Sequence, residues 1–251
     1  MAQAKTVIVT GAGSGIGAAC ARRFSADGWN VALFARTRDK LEKIAADLPD
    51  DRTLVIDGDI RDSEAVTRLV SETVNRFGGL DALVNNAGVG AMGAPGELSR
   101  DAWDRVLAVN VTGVFEMTTA ALPHLKKTGG CVVNTASVSG LGGDWRMFGY
   151  NASKGAVANM TRAMALDLAP EVRVNAVAPS LTRTDMAAGV LDKPDRLDAF
   201  AERIPMGRPG EPEEVADVIA FLASHDARFV TGVVLPVDGG LSASNGQPRL
   251  G

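Results

Sequence analysis

One serine, one tyrosine and one lysine stand at intervals that suit acid–base chemistry: Ser137, Tyr150 and Lys154. On a helix, the four-residue spacing of Tyr150 and Lys154 places both side chains on one face, one turn apart. An ammonium beside a phenol favours the phenolate, so we expect the pKa of Tyr150 to lie below its ordinary value. A tyrosine tuned in this way exchanges a proton with an alcohol oxygen, which Ser137 would hold by a hydrogen bond.

The tyrosine–lysine pair is weak evidence when taken alone. Tyr and Lys meet at this spacing by chance in many helices, where the ring packs and the lysine reaches along the surface to water. Tyr150 is, however, the only tyrosine in the chain. The residues near the N-terminus further favour the chemical interpretation.

A glycine-rich turn, TGAGSGIG at residues 10–17, follows the first apolar run of the chain and precedes a helical pattern. Glycines let the backbone approach a pyrophosphate, which the free N–H groups and positive dipole end of the next helix would bind. The spacing is G-x-x-x-G-x-G rather than the dinucleotide fingerprint G-x-G-x-x-G, because Ile16 replaces a glycine. A tight turn is the rival interpretation, but the strand–turn–helix context favours phosphate binding.

The residues at the end of the second apolar run indicate which dinucleotide, NAD(H) or NADP(H), would bind. An acidic residue there accepts hydrogen bonds from a ribose 2′-hydroxyl, whereas a basic residue pairs with a 2′-phosphate. The chain offers Ala35, Arg36, Thr37 and Arg38, with no carboxylate before Asp39. An arginine binds a phosphate through two parallel hydrogen bonds. The pattern favours NADP(H), with NAD(H) left open and two solvated helix-start arginines as the alternative interpretation.

Polar or small residues follow the next apolar runs. Asp59 closes the predicted third strand, where its carboxylate either accepts a hydrogen bond from an adenine amino group or caps the following helix. Residues 85–88 read NNAG, and their small size leaves room for a flat ring, although an ordinary strand-end turn gives the same pattern. Asn110 interrupts an apolar helix face, so it is either exposed or bonded to a specific partner.

Strand-length apolar runs alternate with amphipathic helical stretches along the whole chain. The predicted strands are 5–10, 30–35, 53–59, 80–88, 131–137, 172–179 and 232–240. The longest predicted helices are 99–127, with Ser99 as its N-cap, and 150–169. Strands alternating with helices form parallel sheets through right-handed crossovers, and strands apolar on both faces need helices on both sides. We therefore predict a doubly wound α/β fold with about seven parallel strands, in one domain spanning 1–251, with a small lobe at about 184–210.

Composition excludes several classes of partner. The chain has 251 residues and a net charge of −4, without a long run of one sign, which argues against nucleic acid and anionic membrane surfaces. Its two cysteines, Cys20 and Cys131, lack metal-ligand spacing and are typical of buried thiols in a reducing compartment, so we predict no metal site. A strand begins almost at once and no apolar run approaches the roughly 18 residues of a membrane span. We expect a soluble, cytoplasmic protein.

Taken together, these motifs resemble the short-chain dehydrogenase/reductase family of the type with one Rossmann domain. The matching motifs are TGAGSGIG at 10–17, Asp59–Ile60, NNAG at 85–88, Asn110 in an NVTG run, Ser137, and Tyr150 with Lys154. The resemblance covers nearly the whole chain. It implies reversible hydride transfer between a nicotinamide and a small ketone or secondary alcohol.

The resemblance also implies residue roles. Tyr150 would be the general acid/base and Ser137 would hold the substrate oxygen. Lys154 would bind the nicotinamide ribose and lower the pKa of Tyr150, and Asn110 would fix a water that relays protons through Lys154. The implied dinucleotide contacts are Gly11, Ser14, Gly15, Ile16, Gly17, Arg36, Thr37, Asp59, Ile60, Asn86, Ala87, Gly88, Tyr150, Lys154, Pro179, Thr182 and Thr184.

The chain departs from the family pattern after the sixth strand. Ser180 stands where glycine is usual, and Thr182 stands where isoleucine or valine is common, whereas Thr184 matches. The departure concerns the local backbone shape rather than the class of cofactor.

The substrate pocket is expected between residues 89–92, 138–149 and 184–206. The predicted substrate contacts are Ser137, Ser139, Trp145 and Tyr150. Arg146 either attracts a carboxylate or is an ordinary surface arginine. The insert at 142–147 and the tail at 244–248 resemble family members that act on small polar carbonyls, with vicinal diketones, hydroxyketones and keto-sugar acids as candidates.

Three other functions stay open at this point. One is a 3-oxoacyl-carrier-protein reductase, which needs a basic patch that Arg146, Arg183 and Arg196 would form if they converge. The others are an epimerase and a non-catalytic dinucleotide-binding regulator, although a regulator would not need a proton-handling tyrosine. Similar proteins are mostly homotetramers, and the alanine-rich helix 150–169 and the helix 101–127 are the expected contacts between subunits.

Overall fold

A computed structural model describes residues 4–245 and residue 247. Within them seven parallel strands form one sheet in the order β3-β2-β1-β4-β5-β6-β7. The strands are β1 Thr6–Thr10, β2 Asn30–Ala35, β3 Thr53–Asp57, β4 Ala82–Asn85, β5 Cys131–Thr135, β6 Arg173–Pro179 and β7 Val234–Val237. Residues 246 and 248 of the tail that the sequence analysis singled out lie outside the described residues.

Helices connect the strands. They are α1 Gly15–Ala26, α2 Arg38–Ala45, α3 Ser63–Phe77, α4 Arg100–Leu107, α5 Gly113–Thr128, α6 Phe148–Leu168, α7 Ala188–Leu191, α8 Pro194–Arg203 and α9 Pro212–Ala223. A π-helical turn, Ala108–Thr112, joins α4 to α5. The doubly wound α/β fold predicted from the sequence is confirmed.

Alternation along each strand sends side chains into two separate cores. Val7 and Val9 of β1 point to one face of the sheet, where they pack in a cluster with Phe24 of α1 and Ile219 of α9. Ile8, between them in sequence, belongs to the cluster on the other face, with residues of α3 and α5. All five residues of β1 are buried. Each fully buried aliphatic side chain contributes about 1.5–3 kcal/mol, and this double burial explains the continuous apolar runs.

Local signals fix the helix ends. Ser99 caps α4 as predicted, since its hydroxyl accepts a hydrogen bond from the Ala102 amide at 3.2 Å. Pro212 occupies the first turn of α9, and a reciprocal capping box of Glu211 and Glu214 precedes it. Residues 184–210, predicted as an irregular lobe, contain α7 and α8 and are largely helical.

One helix of the described residues, Arg100–Thr128, is long and apolar enough by length and composition to cross a bilayer, with a mean hydropathy of 1.3. The prediction that no apolar run approaches this length is wrong for this helix. Met117 and Leu125 on it are fully buried in the core against the sheet. Its apolar composition therefore serves packing within the fold.

Candidate active site

The site lies at the carboxyl-terminal edge of the sheet. β1 pairs with β2 on one side and with β4 on the other, so the chain reverses its direction of winding between β1 and β4. In open α/β sheets, ligands bind outside the strand ends at this switch point. The motifs after β1, β4, β5 and β6 all converge there.

The turn after β1 leaves no space for side chains at its glycines. Gly11 and Gly15 have φ angles of 67° and 52°, which side-chain-bearing residues rarely adopt. A Cβ atom on Gly17 would lie 2.2 Å from the carbonyl oxygen of Gly11. Ser14 is the N-cap of α1 but makes no side-chain cap bond, so the first amides of α1 have no partner from that hydroxyl. This cradle fits a pyrophosphate.

Two isoleucines of the predicted dinucleotide site pack against the core, Ile60 as a buried residue and Ile16 as a half-buried one. Ile16 packs against the cluster formed by α1 and α9. Ile60 is buried, and its side chain would be 3.0 Å from a Cβ atom on Gly113. The Ile60 side chain is therefore taken up by packing, whereas part of the Ile16 side chain stays accessible.

The segment after β4 is locked to the end of β1. The Thr10 hydroxyl accepts hydrogen bonds from the amides of Asn86 and Ala87, both at 3.0 Å, and the Asn86 side-chain amide donates to the Thr10 carbonyl at 3.1 Å. A Cβ atom on Gly11 would lie 3.0 Å from the Ala87 Cα. Asn86 and Ala87 thus support the glycine turn, and their predicted contacts with the dinucleotide remain a prediction.

The two arginines after β2 have different surroundings. Arg38 donates to Glu42 at 2.8 Å and to Asp57 at 3.0 Å. Arg36 is exposed and has no ion pair among the residues described. Thr37 is the N-cap of α2 but makes no side-chain cap bond. Arg36 and Thr37 therefore keep polar groups that a 2′-phosphate would engage.

Asp59 lies two residues beyond the end of β3, which stops at Asp57 rather than at Asp59 as predicted. Its carboxylate binds the Arg61 guanidinium at 2.7–3.1 Å. This hydrogen bond and, at longer range, the charge of Arg36 hold the pKa of Asp59 below its usual range. The alternative role as a helix cap is wrong, because Asp62 caps α3.

The three residues proposed for acid–base chemistry meet as predicted. Ser137 follows β5 and lies near Tyr150 on α6, close enough for its hydroxyl to lower the pKa of the phenol. The Lys154 Nζ lies 5.7 Å from the centroid of the Tyr150 ring, one helical turn away. It donates to the Thr135 carbonyl at 2.6 Å and is buried.

The predicted pKa of Tyr150 is wrong in direction in this structure. Burial raises it, the hydrogen bond with Ser137 lowers it, and the negative charge of Asp144 raises it further. Burial also lowers the pKa of Lys154 to about 8. The spacing does bring the amine beside the ring, but removal from water sets the direction of both pKa shifts, since both charged forms lose hydration.

Asn110 is bonded to specific partners, which decides between the two interpretations of its position. Its Oδ1 accepts from the Val89 amide at 2.8 Å, and its Nδ2 donates to the Val89 carbonyl and to the Ser153 hydroxyl. It lies in the π-helical turn, a feature common at functional sites. A Cβ atom on Gly88 would lie 3.5 Å from both Asn110 Oδ1 and Lys154 Nζ.

The insert before α6 supplies a carboxylate that the sequence analysis missed. Ser139 is buried and donates to the Asp144 carboxylate, and the Ser137 hydroxyl donates to Ser139 at 3.0 Å. Trp145, expected to wall the pocket, is 95% exposed, so this structure gives it no packing role there. The only sign of this contact in the sequence was that Asp144 stands in a glycine-rich insert that closely follows Ser137 and Ser139.

Arg146 closes the rim between two loops. Its guanidinium pairs with Glu97 at 2.7 Å, and its carbonyl accepts from the Gly93 amide at 2.7 Å. Arg146 has a φ angle of 59°, which turns the chain sharply here. The loop after β4 and the insert before α6 are therefore joined at the mouth of the site.

The segment after β6 completes the edge. Pro179 ends β6, and its carbonyl accepts from the Ser137 hydroxyl at 3.4 Å. The Thr182 hydroxyl donates to the Ser180 carbonyl at 3.0 Å, which accommodates both departures from the family pattern within one short turn. The Thr184 methyl would lie 2.8 Å from a Cβ atom on Gly15, so this segment contacts the glycine turn.

The cysteines lie apart from the site. Cys20 and Cys131 are free, buried thiols as predicted, and burial raises the pKa of Cys131 to about 11. Across the described residues, no group of three or more His, Cys, Asp or Glu side chains has the arrangement of a metal site.

Comparisons with known proteins agree with this site. A family model described as enoyl-(acyl carrier protein) reductase matches residues 11–242. A meso-2,3-butanediol dehydrogenase of Serratia marcescens is 51% identical over 248 residues, 98% of each chain. A short-chain dehydrogenase/reductase of Brucella melitensis, titled glucose/ribitol dehydrogenase, has a TM-score of 0.91 at 38% identity, covering 95% of this chain and 97% of its own.

A 3-ketoacyl-(acyl-carrier-protein) reductase of Brucella melitensis, solved with NADH, has a TM-score of 0.90 at 35% identity. The match covers 96% of this chain and 99% of the other. The chain therefore belongs to the short-chain dehydrogenase/reductase family, and it is an oxidoreductase that interconverts alcohols and carbonyl compounds with a nicotinamide dinucleotide.

Proposed function

We propose that the protein is an NADP(H)-preferring dehydrogenase/reductase for small, polar secondary alcohols and ketones, with Tyr150 as its general acid/base. The observation that carries this proposal is the convergence of Ser137 and the buried Lys154 amine on Tyr150, with the Lys154 Nζ 5.7 Å from the centroid of the ring. These groups lie at the carboxyl-terminal edge of the sheet, where the glycine turn also lies. The dinucleotide, when bound, supplies or accepts the hydride.

The chain's own residues handle the substrate oxygen and its proton. In reduction, Ser137 donates a hydrogen bond to the carbonyl oxygen and Tyr150 gives it a proton as the negative charge develops. In oxidation, Tyr150 takes that proton back. General acid–base help of this kind accelerates reactions roughly 10²–10⁴-fold. With a pKa of about 8, Lys154 is mostly cationic near neutral pH and stabilises negative charge on the neighbouring phenol.

The substrate class follows from the pocket and from the relatives. The rim carries several hydroxyls and a carboxylate, from Ser137, Ser139 and Asp144, which suit a substrate with a second polar oxygen. The Serratia relative, by its name, acts on a vicinal diol. Vicinal diols, with their hydroxyketones and diketones, are therefore the first candidates, followed by keto-sugar acids.

The preference for NADP(H) depends on Arg36. The strand β2 ends without a carboxylate, and Arg36, which directly follows it, is exposed. We expect Arg36→Asp to reverse the ratio of kcat/KM for NADPH over NADH, because a carboxylate repels the phosphate and accepts from the 2′-hydroxyl. Equal ratios in the two proteins would remove Arg36 from the cofactor site.

A 3-oxoacyl-carrier-protein reductase is the weaker alternative. Its acidic carrier would need a basic rim, but Arg146 pairs with Glu97 and Arg183 pairs with Glu211. These ion pairs offset two of the three positive charges that the sequence analysis assigned to the rim, whereas Arg196 donates to the Gly189 carbonyl at 3.2 Å. A small, uncharged substrate fits such a neutralised mouth better.

We also propose a homotetramer. On α6, Ala158 and Ala165 are both buried, and Ala165 packs in a core cluster of the subunit's own sheet. Ala152 and Ala163 are exposed, as is Leu166, which is 83% exposed. A second copy would cover this apolar face, and light scattering of the purified protein measures the assembly.

The decisive experiment is a panel of alcohols and carbonyl compounds assayed separately with NADH and NADPH. We expect reduction of diacetyl or acetoin-type hydroxyketones, with a higher kcat/KM for NADPH. Rapid turnover of acyl-carrier substrates with no turnover of small ketones would overturn the proposal.

A further inference from the structure

A carboxylate without a cationic partner lies at the mouth of the site. Asp144 is exposed and has no ion pair among the residues described. Arg146, two positions later, is already paired with Glu97 at 2.7 Å. Arg183, after β6, is paired with Glu211 at 3.0 Å. The charge of Asp144 is therefore not offset by either of these arginines, and it is open to an incoming molecule.

Ser139 fixes this carboxylate close to the group that would hold the substrate. The Ser139 side chain is buried, and its hydroxyl donates to the Asp144 carboxylate. The Ser139 and Ser137 hydroxyl oxygens lie 3.0 Å apart. The Asn151 side chain donates to the Asp144 carbonyl at 3.0 Å and ties the insert to α6. The carboxylate is thus held one hydroxyl away from Ser137.

We propose that Asp144 selects substrates with a hydroxyl on the carbon next to the reacting one, and rejects substrates with a carboxylate there. Asp144 is then a specificity-determining residue, and Ser139 is the residue that positions it. This inference rests on the proposed function, in which Ser137 holds the reacting oxygen. It narrows the substrate class to vicinal diols and their hydroxyketones.

The spacing of the polar atoms suits two oxygens on adjacent carbons. With one substrate oxygen at Ser137, an oxygen on the next carbon is offered Ser139 and Asp144, because the two serine oxygens are only 3.0 Å apart. An ionised carboxylate only accepts hydrogen bonds, and the Ser139 hydroxyl already gives its proton to it. A hydroxyl donates to these acceptors, whereas a second carbonyl or a carboxylate has no proton to give.

Charge strengthens this selection. The charged groups near the phenol are Lys154 on its own helix and Asp144 on the insert. Lys154 is buried and donates to the Thr135 carbonyl at 2.6 Å, so a substrate meets Asp144 on the exposed side. Asp144 raises the pKa of Tyr150, so its charge acts on the atoms that react. An anionic group placed beside it is repelled.

The test compares ratios of kcat/KM at one saturating dinucleotide concentration. The probes are 3-hydroxy-2-butanone with the vicinal hydroxyl, 2-butanone without it, and pyruvate with a carboxylate in its place. We expect Asp144→Ala to lower the ratio of 3-hydroxy-2-butanone over 2-butanone roughly 10–100-fold, the range for one hydrogen bond to a charged group. Asp144→Asn should raise the ratio of pyruvate over 2-butanone at least about tenfold, because the repelling charge is gone. The intrinsic reactivity of each probe cancels when one ratio is compared between proteins.

Two further variants complete the comparison. Ser139→Ala keeps the carboxylate without its anchor and should lower the hydroxyketone ratio in the same direction, and an unchanged ratio would overturn the positioning role. Asp50→Asn removes an exposed carboxylate just before β3, at the amino-terminal edge of the sheet, and should match the wild type in both ratios. Wild-type ratios in both Asp144 variants would overturn the selection by Asp144.

A second readout needs neither dinucleotide nor substrate. Tyr150 is the only tyrosine, so the ultraviolet absorbance of its phenolate titrates this residue alone. We expect the midpoint to move to lower pH in Asp144→Asn, and an unchanged midpoint would place the carboxylate too far from the reacting atoms. A wild-type protein that reduces no small ketone overturns the proposed function and this inference with it. Normal turnover with unchanged ratios in the Asp144 variants overturns the inference alone.

Discussion

The free-energy cost of burying Lys154 is measurable without any substrate. Burial lowers its pKa from 10.5 to about 8, because the ammonium loses its hydration while its recorded hydrogen-bond partner is a neutral carbonyl. Between these two pH values the unfolded chain binds a proton that the folded chain does not. The stability of the fold therefore rises with pH across this window.

The size of the effect follows from the shift. At about 1.4 kcal/mol per pKa unit, the change from 10.5 to about 8 corresponds to roughly 3 kcal/mol. This cost is fully present below about pH 8 and is gone above about pH 10.5. Lys154→Met removes the charge and keeps a side chain of similar length, so it should remove this free-energy cost of burial near neutral pH. The Thr135 carbonyl then lacks its donor, which reduces the gain in stability by about 1–3 kcal/mol.

Chemical denaturation of both proteins across this pH range gives the difference in unfolding free energy. We expect the unfolding free energy of Lys154→Met minus that of the wild type to decrease by about 3 kcal/mol between neutral pH and about pH 10.5. Lys43→Met, at an exposed position on α2, is the matched control and should show no such trend. A difference between Lys154→Met and wild type that stays flat with pH would refute the buried-ammonium reasoning.

Two further predictions follow from the site. Gly17→Ala places a Cβ atom 2.2 Å from the Gly11 carbonyl oxygen, so the dinucleotide affinity measured by titration should fall at least about tenfold and the stability by about 1–3 kcal/mol. As a control, the Cβ atom of Gly189→Ala meets nothing within 4 Å, so this variant should keep the wild-type affinity and stability. Arg146→Ala breaks the exposed pair with Glu97, so stability should change by less than about 1 kcal/mol while steady-state kinetics show KM rising more than kcat falls. Full dinucleotide affinity in Gly17→Ala would contradict the role of the glycine turn as a pyrophosphate cradle. An unchanged KM in Arg146→Ala would contradict the role of Arg146 at the mouth of the site.

The sequence predicted the elements whose signals are local. Alternation of buried strands and amphipathic helices predicts the doubly wound sheet, because each strand must hide both of its faces. The Ser99 cap depends on neighbouring residues only, and it is confirmed. The spacing of Tyr150 and Lys154 likewise places them side by side on α6.

The features that the sequence did not predict depend on distant parts of the chain. The direction of the Tyr150 pKa shift depends on how much of the fold covers the phenol and on where Asp144 lies. The bond of Asp59 to Arg61 is set by the turn after β3, while its contact with an adenine stays a prediction. Trp145 looked like a pocket wall, yet the turn at Arg146 leaves it exposed.

Asp144 illustrates the same limit. In sequence it is one carboxylate within an unpatterned insert. Its contact with Ser139 exists because the insert folds back over the end of β5, with the Asn151 side chain donating to the Asp144 carbonyl at 3.0 Å. No periodicity or spacing rule predicts that return, so its role became visible only from the hydrogen bonds.

The central claim is that the Tyr150 hydroxyl exchanges the substrate proton. Tyr150→Phe removes that oxygen alone and leaves the ring and the glycine turn in place. We predict that the variant binds the dinucleotide with the wild-type Kd while kcat falls roughly 10²–10⁴-fold. A kcat within a few-fold of the wild type, at normal dinucleotide affinity, would contradict the account.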